Sequence, residues 1–201
     1  SMIAPASLYA VTKLSQELQV KCICDAHKIP YGIARFQNVY GEGQSLRNPY
    51  TGIISIFYNR LRQGMGVDLF EDGQPIRDFV HVTDAVQGLI KLASNITEPK
   101  SFSVFNIGSG VPTTVQEVAK EIAKHCSVPG EVSITGNFRV GDIRHNVACL
   151  ERAKSELGYC PGVSFSAGIK AFCNWASTQP VFPDKSDEAM TDLKRIGLAI
   201  P

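Results

Sequence analysis

A chain of 201 residues, 44% hydrophobic and 19% charged, is long enough for one domain or a domain and a half with a sizeable core. A net charge of +1 leaves no basic stripe for nucleic acid; no apolar run is long enough to span a membrane, and no signal peptide is visible. The six cysteines are scattered, with no CxxC pair and no His at zinc-finger spacing, which predicts free thiols in a reducing cytoplasm and no metal site.

Residues 8–27 read as a helix with Val11, Leu14, Leu18 and Cys22 inward, and 31–37 as a short strand. Residues 38–50 read as a loop, because Gly41, Gly43 and Pro49 oppose regular structure. A second helix is predicted over 51–63, then strands at 67–70 and 78–82 on either side of the turn Asp72-Gly73. Val86, Leu89, Ile90 and Ala93 give a helix at 84–94 an apolar stripe, and 104–107 is a short strand. Thr114-Val-Gln-Glu117 is a capping box opening a helix that buries Val115, Val118, Ala119 and Ile122. A strand at 132–135, helices at 150–157 and 165–177, and a polar tail with a final helix at 187–197 complete the order. Strands alternating with amphipathic helices predict an α/β fold with parallel pairing.

Tyr9 and Lys13 lie about one helical turn apart, so both side chains fall on one face of the first helix. An ammonium beside a phenol favours the phenolate and lowers a pKa that starts near ~10, giving an acid/base suited to a carbinol or carbonyl. About one chain in three of this composition would carry such a pair by chance, so its context must carry the argument. Gly108-Ser-Gly110 follows a strand, but Thr113 stands where a third glycine would complete a dinucleotide fingerprint, so a tight turn is the better account. Arg77-Asp-Phe-Val-His-Val82 and Arg139-Val-Gly-Asp-Ile-Arg144-His145 each join Arg to Asp; forked guanidinium donors suit diphosphate oxygens, against the plain alternative of solvated surface pairs. Asn38 ends a strand that a parallel sheet would direct to a site, and His81 and His145 read as structural hydrogen-bonders.

Taken in order, these segments resemble the extended short-chain dehydrogenase/reductase family, specifically its nucleotide-sugar epimerases and dehydratases. The matching stretches are Pro5-Ala-Ser-Leu-Tyr9-Ala-Val-Thr-Lys13, Ala34-Arg-Phe-Gln-Asn-Val-Tyr-Gly41, Asp72-Gly-Gln-Pro-Ile-Arg-Asp-Phe-Val-His-Val82, Phe105-Asn-Ile-Gly-Ser-Gly110 and Arg139 to His145. Asn48 to Phe57 and the tail Asp192 to Leu198 look most like the dTDP-L-rhamnose 4-epimerase branch. Glu42 departs from the usual proline and Cys149 from a helix-capping aspartate.

The resemblance implies the C-terminal part of a Rossmann-type parallel sheet, without its N-terminal strands, plus a small mixed α/β substrate-binding domain. Residues 3–45, with 84–110 returning to them, would be the remnant of the NAD-binding domain. Residues 46–83 and 111–180 would form the sugar-nucleotide-binding domain, and 181–201 a C-terminal tail. It further implies Tyr9 as catalytic acid/base and Lys13 as its partner at the nicotinamide ribose, with Phe36 also at the cofactor. Asn38, Arg77, Arg139, Asp142 and Arg144 would hold the sugar nucleotide. In such enzymes NAD takes hydride from sugar C4 and returns it to the other face of a 4-keto sugar.

Three readings stay open: part of a 4-epimerase, part of a related dehydratase or decarboxylase, or a non-catalytic nucleotide-sugar-binding or assembly module. Without the Gly-rich loop, the chain alone is expected to bind NAD poorly and show no turnover. The strand at 31–37 and a face of the first helix are expected to be covered by a second copy or a partner chain.

Overall fold

The computed structural model describes residues 4–48, 52–96, 103–126, 131–139, 141–195, 197 and 199–200. Its elements in chain order are α1 (Leu8–His27), β1 (Ile33–Phe36), β2 (Asn38–Tyr40), α2 (Ile53–Leu61), β3 (Val67–Leu69), β4 (Ile76–His81), α3 (Val82–Asn95) and β5 (Val104–Ile107). There follow β6 (Pro112–Thr114), α4 (Val115–Ala123), β7 (Val132–Ile134), β8 (Phe138–Arg139), α5 (Glu151–Leu157), α6 (Phe165–Ser177), α7 (Ser186–Arg195) and β9 (Ala199–Ile200).

The longest helix begins where Ser7 accepts a hydrogen bond from the Ala10 amide and stops at Lys28, which takes the left-handed conformation. No α1 residue is buried, so the predicted inward face needs correction. Leu14 is half-buried, but Val11 and Leu18 are 47% and 49% exposed and Cys22 is exposed. Ala10, Leu14, Glu17, Lys21 and Cys24 form the half-buried line instead. Along it Glu17 takes a two-pronged bond from Arg35 of β1, at 2.7 and 2.6 Å. Among the described residues the sheet carrying β1 has two strands, and so narrow a surface covers only a line of α1.

β1 pairs in parallel with β5, Ile33 opposite Val104 and Phe36 opposite Ile107. β4 runs parallel to β2 at one end and antiparallel to β6 at the other. β2 lies within the predicted loop: Asn38, Val39 and Tyr40 pair with Phe79, Val80 and His81 despite the flanking glycines. Parallel β3–β7 and antiparallel β8–β9 complete the pairing.

The stripe expected of α3 also faces the other way. Val86, Leu89 and Ile90 are 46%, 44% and 52% exposed and Ala93 is exposed, while Asp84, Ala85, Gly88 and Leu92 are buried. Small size and hydrogen bonding explain the inversion. A Cβ on Gly88 would lie 2.9 Å from Ile107 Cγ2, and Asp84 accepts the amides of Gly162 and Val163 at 3.0 and 2.9 Å.

Apolar side chains gather in two clusters. One joins Tyr40, Leu61, Leu69, Phe79, Ile122 and Phe172 from β2, α2, β3, β4, α4 and α6. The other joins Leu92, Phe105, Ile107, Leu157 and Tyr159. The capping box forms as expected: the Glu117 amide donates to Thr114 Oγ1 at 3.1 Å, and the Thr114 amide donates to Glu117 Oε2 at 2.7 Å.

Candidate functional site

Successive strand residues point to opposite faces, so β4 sends Arg77 and Asp78 in opposite directions. Arg77 lines a cleft of about 810 Å³ together with Gln37, Asn38, Phe70 and Asp142. Its guanidinium is fixed by Asp142 at 2.8 Å and by the carbonyl oxygens of Arg144 and Ile76, both at 3.0 Å. An oriented fork of this kind suits phosphate oxygens. Asn38 opens β2 beside Phe79, at the same cleft.

Asp78 is 0% exposed. Its carboxylate accepts the Ser109 amide and hydroxyl at 2.7 Å each, the Gly110 amide at 3.0 Å and the Ala148 amide at 3.1 Å. The Gly108-Ser-Gly110 turn is therefore held from within. A Cβ on Gly108 would lie 2.5 Å from Asp78 Oδ2, and the turn's amides are engaged by a carboxylate, so it offers no cradle for a cofactor pyrophosphate.

Tyr9 is 71% exposed, and the Lys13 ammonium sits 5.6 Å from its ring centroid and 3.2 Å from Gln16 Oε1. Neither residue lines the cleft. The start of α1 nevertheless abuts the loop that carries Asp142, since a Cβ on Gly141 would lie 3.3 Å from the Ala6 carbonyl oxygen and 3.7 Å from Ser7 Cβ. Phe36, 42% exposed, ends β1. Arg144 is turned to the Asp72-Gly73 turn, pairing with Glu71 and, at 2.6 Å, with Asp72, whose carboxyl it holds below the usual range. The Arg139 backbone pairs with Ala199, and its side chain lies outside the described residues.

His81 is structural: it caps α3 by accepting the Thr83 amide at 3.4 Å and bonds Glu42 at 3.0 Å. Sequence reasoning missed Gln37, Gln44, Phe70, Arg60 and the α7 residues that line the cleft. Gln37 and Lys194 lie within the matching stretches but had no role assigned, and the fold brings Gln44, Arg60 and Phe70 there from other segments. Among the described residues no group of three or more His, Cys, Asp or Glu could hold a metal, and no helix is long and apolar enough to cross a membrane.

Parallel strands joined through helices, with a ligand-sized cleft at the ends of β2 and β4, define a Rossmann-type α/β protein. The chain belongs to the NAD dependent epimerase/dehydratase family, whose model matches residues 1–108. It is 39% identical over 175 residues to the dTDP-L-rhamnose 4-epimerase of Burkholderia thailandensis, covering 87% of this chain and 47% of that protein. A structure of an epimerase from Methanothermobacter thermautotrophicus superposes with a TM-score of 0.80 at 28% identity, covering 88% of this chain and 52% of that one. The UDP-glucose 4-epimerase of Thermotoga maritima, solved with UDP-glucose, gives 0.73 at 31% identity, covering 84% and 53%. The chain thus spans about half the length of these relatives.

Proposed function

We propose that this chain is the substrate-cleft portion of an NAD-dependent nucleotide-sugar 4-epimerase. One observation carries the reading: a single cleft joins Asn38 to an Arg77 guanidinium already held in a fork by Asp142 and two carbonyl groups. In this reading residues 3–45 and 84–110 are the remnant of the nucleotide-binding domain, 46–83 and 111–180 form the substrate-binding part, and 181–201 the C-terminal tail. Arg77 and Arg139 hold the diphosphate, Asn38 holds the sugar side, and Asp142 and Arg144 fix the loops around them.

The described residues fit one end of the dinucleotide. Lys13 would offer donors to the ribose, with Tyr9 and Phe36 at the nicotinamide end, while the Ser109 and Gly110 amides of the 108–110 turn are already engaged by Asp78. NAD, when bound, supplies the acceptor and donor of hydride. Tyr9 would take and return the proton of the sugar C4 hydroxyl, with Lys13 one helical turn further on. The same reading places the chain in the cytoplasm, where its free thiols stay reduced, with a second copy or partner chain over β1 and α1.

Calorimetry with UDP- and dTDP-sugars tests the cleft. Binding is expected, with Arg77→Ala weakening it about tenfold or more by removing a charged hydrogen-bonding group. Unchanged affinity in Arg77→Ala would remove the diphosphate site from this cleft. With NAD and sugar nucleotide the chain alone is expected to show no steady turnover. Co-expression with the segment of the Burkholderia relative that this chain does not span is expected to restore it.

The exposed setting of Tyr9, away from the cleft lining, favours a second reading: a nucleotide-sugar-binding module without redox chemistry. Ligand binding that stays silent in the complemented assay would select that reading.

A further inference from the structure

The same cleft has a further wall, supplied by the C-terminal helix. Asp187, Met190, Thr191 and Lys194 of α7 line it, and their spacing of three, four and seven residues puts them on one helical face. The helix is held at both ends. At its start, Arg60 of α2 is braced by its Nε bond to the Gly66 carbonyl at 2.7 Å. Its Nη1 then reaches Asp184 at 2.7 Å, Ser186 at 2.8 Å and Asp187 at 3.0 Å. Beyond its end, β9 pairs with β8, the strand that carries Arg139.

Charge bookkeeping around the cleft singles out one α7 side chain. Arg60 is paired with Asp184 and Asp187, and Arg77 with Asp142. Asp68 accepts the Ser133 hydroxyl at 2.5 Å, and Glu71 is paired with Arg144. Among the described residues the Lys194 ammonium has no carboxylate partner, although it borders the same space. An anionic ligand entering beside arginines that already have counter-ions gains most from the cation that has none. A lysine on a flexible stem is also a natural point-charge contact for phosphate.

We propose that α7 is a ligand-binding wall of the cleft and that Lys194 is a further contact to the diphosphate of a nucleotide ligand. The inference rests on the nucleotide-sugar reading above and adds a determinant from a different part of the chain. Lys194 then confers affinity on the diphosphate, while Met190 and Thr191 bound the space beside it.

Calorimetric titration of the full chain with UDP, dTDP and the bare nucleosides uridine and thymidine tests this, in wild type, Lys194→Ala, Lys194→Arg and Arg77→Ala. Lys194→Ala is expected to weaken the diphosphates about tenfold, with less sensitivity to added salt. Nucleoside binding should not change, Lys194→Arg should restore most of the loss, and all variants should melt with the wild type. Wild-type diphosphate affinity in Lys194→Ala, beside a weakened Arg77→Ala, overturns this inference and leaves the cleft reading standing. Equal losses for diphosphates and nucleosides also overturn it, by giving Lys194 a structural role. Failure of the wild-type chain to bind any nucleoside diphosphate overturns both.

Discussion

Replacing Asp78 tests whether one hidden carboxylate joins β4, the 108–110 turn and the segment before α5. In Asp78→Ala four donors lose their acceptor: the Ser109 amide and hydroxyl and the Gly110 and Ala148 amides. Their settings differ. The Ala148 amide is buried and loses its partner outright, whereas the Ser109 and Gly110 groups lie nearer the surface, where water can replace the oxygen. A stranded buried donor costs about 1–3 kcal/mol and a water-replaced bond less, so the sum is about 2–4 kcal/mol. For a chain of this size that lowers the melting temperature by about 5–15 °C. Asp78→Asn keeps the shape but turns an amide nitrogen toward donors, so it should fall between wild type and Ala. Urea unfolding followed by circular dichroism reads the stability, and amide exchange reads the site, with the Ser109, Gly110 and Ala148 amides losing protection first. A change under about 0.5 kcal/mol for Asp78→Ala, within the range of ordinary surface substitutions, would refute the assignment.

The capping box gives an acid-sensitive contribution. The Thr114 amide and then its hydroxyl hold the Glu117 carboxyl below the usual range, so its stabilisation is complete above the ordinary glutamate pKa and fades as pH falls through the lowered folded value. Thr114→Ala should cost about 1 kcal/mol at neutral pH, and Glu117→Gln should flatten the acid limb of a urea-midpoint profile between about pH 3 and 6. Burial raises the Cys173 thiol to about 12, so alkylation at pH 8 followed by mass spectrometry should mark the exposed Cys22, Cys149 and Cys160 and spare Cys173 until the chain unfolds. Early labelling of Cys173 would contradict its packing. Leu8, Leu18 and Ile23 are 80%, 49% and 59% exposed, so light scattering at micromolar concentration should find a mass above the monomer, lowered by Ile23→Glu; a clean wild-type monomer counts against self-association.

Much of the backbone was legible where local chemistry decides it. The bounds expected at 8–27 and 165–177 match α1 and α6, and Thr114 and Glu117 open α4. The short strands at 67–69, 104–107 and 132–134 were legible too, whereas Asn38–Tyr40 and Pro112–Thr114, set among glycines and prolines, are strands only through what they pair with. The faces of α1 and α3 were misjudged for a related reason. Apolar spacing finds a stripe but not the surface that meets it, and Gly88 and Asp84 turned the bare side of α3 inward. Within the cleft, Asn38 and Arg77 came from ordered motifs with assigned roles, whereas Arg60 lies outside the motifs and Lys194 lies in the matching tail without a role.

The alternation along β4 restricts how this protein can change length. A residue gained or lost between Asp72 and Ile76 slides the strand by one step, turning a positive group toward the anchoring amides and a negative one toward the cleft. Single-residue insertions and deletions in that bend should therefore be tolerated poorly.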